Sequence, residues 1–127
     1  MLHFYSVFVV LDPPGPPSKP KVTDITRDSC KLSWRAPEEN GGNPVIGYHV
    51  ERTCCDVIRW FRVNQDVVQD VTYTATNLME GTEYFFRISA VNAAATGPAG
   101  EKSDRILAKD PWGVKREFTT LKLKVFP

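Results

Sequence analysis

Several signals that identify enzymes, metalloproteins and secreted glycoproteins are missing from this 127-residue sequence. It has two histidines, His3 and His49, and neither stands in a pattern with a nucleophile that indicates catalysis. No phosphate-binding glycine loop, zinc-ligand spacing or calcium loop occurs. We therefore expect no enzymatic activity, no cofactor and no metal site.

An excess of one charge is also missing. Sixteen Lys and Arg residues stand against fifteen Asp and Glu residues, a formal net charge of +1. This balance gives no electrostatic reason to expect nucleic acid or an anionic membrane as a partner.

Cysteine is scarce and its count is odd, with Cys30, Cys54 and Cys55 in the whole chain. A bridge between the adjacent Cys54 and Cys55 would force unusual local geometry, and a bridge from Cys30 to either leaves one thiol over. Free thiols suit a reducing compartment. The absence of any Asn-x-Ser/Thr glycosylation site agrees with a cytosolic setting.

Proline is concentrated in residues 12–20, "DPPGPPSKP", which we interpret as the boundary of a domain. Such a segment is extended, stiff and polyproline-like, and a reader of Pro-x-x-Pro motifs is an alternative use for it. The apolar residues 1–11 before it lack the basic start and the small-residue cleavage site of a signal peptide. We interpret this leader as the last strand of a preceding domain, with a signal peptide as the alternative.

Short β-like segments with turn signals between them fill the rest of the chain. They predict an all-β, immunoglobulin-like sandwich of seven strands in two antiparallel sheets. Six predicted strands are residues 21–26, 29–34, 45–52, 58–63, 71–76 and 102–110, and the remaining one lies in the stretch 78–94, where Tyr84, Phe86, Ile88 and Ala90 share one face.

Alternation with a period of two assigns the faces of these strands. It places Ile46, Tyr48 and Val50 on one face, and Cys30 with Leu32 and Trp34 on another. Tyr84 follows the Glu80–Gly81 turn and starts an apolar face, so we predict a tyrosine corner whose hydroxyl bonds to the backbone upstream. The predicted core consists of Leu32, Trp34, Tyr48, Leu78, Tyr84, Phe86 and Ile88.

Four stretches occur in the order and spacing of a fibronectin type III domain: "SCKLSW", "GYHVER", "RWFRV" and "LMEGTEYFFRISAVN". The resemblance covers residues 12–111. "DPPGPP", "PEENGGNPVIGYHVER" and "AKDP" resemble the modules of intracellular muscle proteins of the titin, twitchin and myosin-binding protein C type. Such modules stand in tandem with immunoglobulin domains and contain no disulfide, which the resemblance implies here too.

Two departures from the pattern of the resembled modules are informative. Outward positions that are often polar hold Phe85 and Val91, which flank Arg87 and Ser89 on a sheet face that we expect to be exposed. This face is interpreted either as scattered surface hydrophobes or as a contact patch. Its candidate contact residues are His49, Glu51, Phe85, Arg87 and Val91. Residues 112–127 form an atypical tail, which we expect to be poorly ordered.

The resemblance implies a non-catalytic structural and protein-interaction module, an in-line spacer and docking surface in a sarcomeric or cytoskeletal protein. Its partners would be neighbouring immunoglobulin or fibronectin modules and myosin or other thick-filament components. The isolated domain is expected to be monomeric and cytoplasmic. The alternative is a cell-surface or adhesion-receptor module that binds an extracellular ligand. On parity Cys30 faces the core, whereas Cys54 and Cys55 lie near a loop and are expected to be inert, with redox sensitivity of an exposed thiol as the alternative.

Overall fold

The protein is represented by a computed structural model that describes residues 12–112. The interpretation of residues 1–11 as a leader lies outside the described residues. So does the prediction of a poorly ordered tail, apart from its first residue, Trp112. The boundaries proposed from the sequence, with a domain over 12–111, remain a prediction.

Two antiparallel sheets contain all the strands of residues 12–112, with β1, β2 and β5 in one and β4, β3, β6 and β7 in the other, in those orders. The predicted all-β sandwich of seven strands is confirmed. The strands are β1 (Lys21–Thr23), β2 (Cys30–Ser33), β3 (Gly47–Cys54), β4 (Phe61–Arg62), β5 (Thr72–Ala75), β6 (Glu83–Val91) and β7 (Ile106–Leu107). Within residues 12–112 there is no helix long and apolar enough to cross a bilayer.

Strand bounds differ from the prediction at the end of β1 and at the start of β3. β1 stops before Asp24, whose φ of 51° turns the chain. β3 begins at Gly47, two residues later than predicted, and Ile46 just before it is 52% exposed although its N–H donates to Val91 O.

The predicted strand over residues 58–63 is reduced to Phe61–Arg62, and on its C-terminal side a buried asparagine takes the place of the ladder. The Asn64 side chain accepts a hydrogen bond from Val50 N (2.8 Å) and donates one to Tyr48 O (3.1 Å). A side chain that satisfies both backbone groups removes the need for a longer strand at this edge.

The core lies between the sheets and contains all seven residues proposed for it from the sequence. Leu32, Phe86 and Ile88 are completely buried, and Trp34 packs edge-on against Tyr48 with ring centroids 5.4 Å apart. Burial of each large apolar side chain is worth about 1.5–3 kcal/mol relative to exposure. The other four of the seven residues are also buried, namely Trp34, Tyr48, Leu78 and Tyr84.

The proline-rich segment packs against the sandwich instead of projecting from it. Pro14, Pro17 and Pro20 are buried, which matches the three residues per turn of a polyproline helix with one face against the domain. A Cβ at Gly97 would lie 2.0 Å from Pro14 O, and one at Gly100 would lie 2.2 Å from Pro17 O. Glycine is therefore required at positions 97 and 100, where the proline segment crosses the chain. Pro14 and Pro17 are packed against the domain at these crossings and are not free to bind another protein.

The ends of the described chain lie at opposite poles of the sandwich. Asp12 N donates to Gly41 O in the β2–β3 loop (3.1 Å). At the other end, Arg27 N in the β1–β2 turn donates to the Asp110 carboxylate (3.0 Å). Because β2 separates these two connections, the chain enters at one pole and leaves at the other.

Candidate functional site

Tyr84 belongs to the scaffold. Its hydroxyl accepts a hydrogen bond from Met79 N at 2.8 Å, and its side chain is buried. The turn between the two residues passes through Gly81, whose φ of 83° is readily available only to glycine. Gly81 N in turn donates to Ala108 O at 2.8 Å. These hydrogen bonds tie the β5–β6 turn to β6 and to the segment after β7, which is the structural role of a tyrosine corner.

The five candidate contact residues lie on the side of β3 and β6 that faces away from the core, which we call the β3–β6 outer face. The antiparallel register places Glu51 opposite Arg87, and His49 opposite Ser89. Phe85 lies opposite Thr53, and Val91 opposite Gly47, on the same side of the sheet. The structure thus brings all five together.

This face is less open than its sequence suggested. The five candidates are half-buried, and Ser89 between them is only 6% exposed, so the expectation of an exposed face is wrong for its centre. Side chains from neighbouring segments cover part of it. What remains accessible is a set of aromatic and charged groups held in fixed positions.

A stack of three side chains forms the middle of the β3–β6 outer face. Arg87 Nε donates to Glu51 Oε1 at 2.8 Å, and the Arg87 guanidinium lies 4.4 Å from the centroid of the Trp60 ring. A partly exposed ion pair is worth about 1 kcal/mol or less because water screens it. Its main effect is orientation, since a guanidinium held by a carboxylate and an indole keeps the rest of its donors in one plane.

Trp60 was not among the residues selected from the sequence. The signal that would have found it is register: Glu51 pairs with Arg62, so a period of two places Trp60 on the same side of the sheet. That register depends on the length of the β3–β4 turn, which alternation alone does not reveal.

A second cation–aromatic contact lies on the same face, where Lys102 Nζ is 4.3 Å from the centroid of the Phe85 ring. Lys102 is exposed and Phe85 is half-buried. The apolar ring is therefore covered by a cation on one face, which places positive charge beside an apolar surface.

His49 is the histidine of the described chain, and it lies beside these groups. Burial lowers the pKa of its imidazole, the positive charge of Arg62 lowers it further, and the carboxylate of Glu51 opposes both. The ring is therefore mainly neutral near pH 7. Its Nδ1 atom is buried and has no hydrogen-bond partner among residues 12–112.

Two features elsewhere in residues 12–112 bear on what a reaction centre needs, the grouping of possible metal ligands and the lining of one cleft. Among residues 12–112, no three His, Cys, Asp or Glu side chains lie close enough to hold a metal ion. A cleft of about 460 Å³ opens between the edges of the two sheets, lined by Arg52, Cys54, Phe61, Tyr73 and other side chains. It contains no carboxylate or imidazole that could act as a general base.

Polar residues that sequence reasoning missed are structural. Asn92 is 3% exposed and donates to Asp12 O (2.8 Å) and Asn40 O (2.7 Å), which fixes the start of the proline segment at its pole. Buried Ser103 accepts a hydrogen bond from Phe86 N at 2.9 Å, and so continues the edge of the sheet ahead of β7.

Comparison with known proteins places this architecture among modules of muscle proteins. The profile of the family described as fibronectin type III domain matches residues 15–105. Cardiac-type myosin-binding protein C of Gallus gallus is 36% identical over 110 residues, which are 87% of this chain and 9% of that protein. Striated-muscle M-protein of Gallus gallus is 35% identical over 106 residues, 84% of this chain and 7% of that protein.

Solved structures give the same result. Domains A168–A170 of titin superpose with a TM-score of 0.74 at 35% identity, over 78% of this chain and 33% of that one. Titin module A71 from human cardiac muscle gives a TM-score of 0.72 at 36% identity, over 81% of this chain and 100% of that one. The chain thus corresponds to one module and spans less than a tenth of the two curated relatives named above.

Proposed function

This chain belongs to the fibronectin type III family, and on that premise we propose that it acts as a non-catalytic spacer and docking module in a sarcomeric, cytoplasmic protein. One observation carries the proposal. The described chain enters the sandwich beside Gly41 and leaves it beside Arg27, at opposite poles. A module with this arrangement fits in line between neighbours and presents its sheet faces sideways.

The spacer role is supported by the way the proline segment is held. Three of its backbone amides donate hydrogen bonds to carbonyl groups of the segment between β2 and β3: Asp12 N to Gly41 O, Gly15 N to Glu39 O, and Ser18 N to Arg35 O. Because the segment is fixed to the domain up to Asp12, it adds no free length at this pole. A joint made this way limits bending between consecutive modules.

The docking role is assigned to the β3–β6 outer face. It combines an indole, an oriented guanidinium and a half-buried phenyl ring, and Trp, Tyr and Arg are the side chains enriched at the centres of protein interfaces. Lys102 and Arg62 add positive charge at its rim, so an acidic strip of a partner is favoured.

Thick-filament myosin is the partner that we propose, since relatives of this chain bear the name myosin-binding protein C. One module of this size gives weak binding, which tandem repetition strengthens. No enzymatic step is assigned to the domain, because its buried polar groups at Asn64, Asn92 and Ser103 are bonded to its own backbone.

Cosedimentation with purified striated-muscle myosin filaments tests the proposal. Lys102→Glu reverses a charge at the rim of the β3–β6 outer face, and Lys31→Glu makes the same change at an exposed position of β2 in the other sheet. A rim reversal worth about 1 kcal/mol lowers affinity roughly fivefold, and the Lys31 variant should bind as the parent does. Trp60→Ala, checked for folding by circular dichroism, should reduce binding further.

Two outcomes contradict the proposal. Equal losses from Lys102→Glu and Lys31→Glu would show non-specific charge attraction, and no sedimentation of the parent at high protein concentration would remove myosin as the partner. Expression of the chain in mammalian cells tests the cytoplasmic assignment. Efficient secretion into the medium would favour the adhesion module instead.

A further inference from the structure

Two adjacent thiols meet at the end of β3. Cys54 is the last residue of that strand, and Cys55 is the first residue of the turn that follows it. Cys55 Sγ lies 3.0 Å from Cys54 Sγ, with Cys55 exposed and Cys54 half-buried. Neighbouring side chains in an extended strand point to opposite faces, so this contact requires a change in the backbone.

The backbone of Cys55 provides that change. Its φ is 62°, in the left-handed region that residues with a Cβ rarely adopt. Glycine or asparagine would occupy such a turn position with less strain, as Gly81 does in the β5–β6 turn. A strained conformation that brings two reactive side chains together is a reason to look for a function.

We propose that Cys54 and Cys55 form a modification site, a dithiol that a hydroperoxide oxidises reversibly to a disulfide between the two neighbours. This inference is independent of the docking role proposed above. It depends on proximity and exposure. The pKa of the Cys55 thiol is raised, first by its hydrogen bond to Cys54 and then by burial, so unusual acidity is not what makes the pair reactive.

The reaction balances in two steps with hydrogen peroxide as the oxidant. The exposed Cys55 sulfur attacks one peroxide oxygen; the S–O bond forms, the O–O bond breaks, and the hydroxide leaves with the thiol proton as water. The Cys54 sulfur then attacks the sulfenic sulfur of Cys55. The S–S bond forms, the S–O bond breaks, and a second water leaves with the Cys54 proton. Two electrons pass from the thiols to the peroxide.

Such a bond should be easy to reduce again. Adjacent α-carbons are about 3.8 Å apart across a trans peptide, closer than the roughly 4.4–6.8 Å of ordinary disulfides. Strain and exposure both make a disulfide labile, which is the property of regulatory rather than structural bridges. Cys30 is excluded from the site, because it is 1% exposed in the other sheet and burial raises its pKa to about 11.

Peptide mass spectrometry tests the proposal. The reduced protein is treated with hydrogen peroxide, alkylated and digested with trypsin, which releases residues 53–59 as one peptide, "TCCDVIR". We expect this peptide to lose two hydrogens, to resist alkylation, and to regain two alkylatable thiols after dithiothreitol. Oxidation in urea should give less of this product, since unfolding removes the left-handed turn.

Variants separate the fold-built pair from a chance neighbour. Cys54→Ser and Cys55→Ser should each abolish the loss of two hydrogens. If Cys55→Ser is unstable, Cys55→Gly replaces it, because glycine adopts the left-handed conformation of this turn without strain. Three results would overturn the proposal. They are sulfinic or sulfonic acid at Cys55 without the bridged peptide, a disulfide-linked dimer as the main product, or equal bridging in urea and in native buffer.

Discussion

The buried side chain of Asn92 is expected to hold the N-terminal pole together, and its removal should cost more stability than removal of an asparagine side chain in an exposed loop. Its amide nitrogen donates to Asp12 O and Asn40 O, at 2.8 and 2.7 Å. Its oxygen accepts from Ala94 N at 2.9 Å and from Ala95 N at 3.1 Å. An asparagine side chain has two donors and two principal acceptor sites, so all of its capacity is used.

The magnitude follows from the number of bonds and the exposure of the partners. A net hydrogen bond contributes about 0.5–1.5 kcal/mol, and a fully buried partner left unsatisfied costs about 1–3 kcal/mol. Ala94 and Ala95 are exposed and can bond to water after truncation. We therefore expect Asn92→Ala to lower the free energy of unfolding by about 2–4 kcal/mol.

Urea unfolding followed by circular dichroism measures this loss, with Asn40→Ala as the matched control. The Asn40 side chain accepts one hydrogen bond, from Gly42 N at 2.8 Å, in an exposed loop. Its removal should cost about 1 kcal/mol or less. Hydrogen exchange adds a local readout, since the Gly15 N–H, which donates to Glu39 O, lies in the segment that Asn92 anchors and should lose protection. Equal costs for the two alanine variants would refute the reasoning.

Three further predictions follow from burial, titration and close approach. Trp34→Ala should cost about 3–5 kcal/mol in urea unfolding through cavity formation, and unchanged stability would contradict the core assignment. Because the pKa of His49 lies below its ordinary value of 6.5, the unfolded chain takes up the proton first on acidification. The free energy of unfolding should therefore be highest above about pH 6.5 and decrease on acidification below it. In thermal melts, His49→Gln should lose less stability over the same pH range. Gly97→Ala places a Cβ 2.0 Å from Pro14 O, whereas Gly15→Ala meets nothing nearer than 3.4 Å. Only the former should raise the proteolytic sensitivity of the proline segment and cost about 1–3 kcal/mol.

Alternation of apolar and polar residues was sufficient to predict the sandwich, because each strand buries one face and the period of two holds along the central part of the strands. Leu32, Tyr48, Phe86 and Ile88 occupy the inward positions that it assigns. The alternation signal weakens at strand ends. Ile46 is the example, since it continues the apolar pattern and yet lies outside β3.

Long-range polar contacts could not be predicted from the sequence. The Asn92 side chain reaches Asp12 across 80 positions, and nothing in the residue type distinguishes it from a loop asparagine. The docked proline segment left a trace that sequence reasoning did not use: Pro14 and Pro17 are spaced by three residues, and so are Gly97 and Gly100, which they cross. A spacing of three on both sides is what a polyproline helix needs to lie against another segment.

Polar side chains inside the sandwich and on its face are expected to respond differently to substitution. Asn64, Asn92 and Ser103 are buried and bonded to backbone groups of this domain, so their loss should reduce stability and binding together. The β3–β6 outer face keeps a group that a partner can still bond, the half-buried guanidinium of Arg87. Substitutions there should weaken docking with little change in the free energy of unfolding. A face whose variants lost stability and binding in proportion would belong to the scaffold, and the docking site would have to be sought elsewhere on the module.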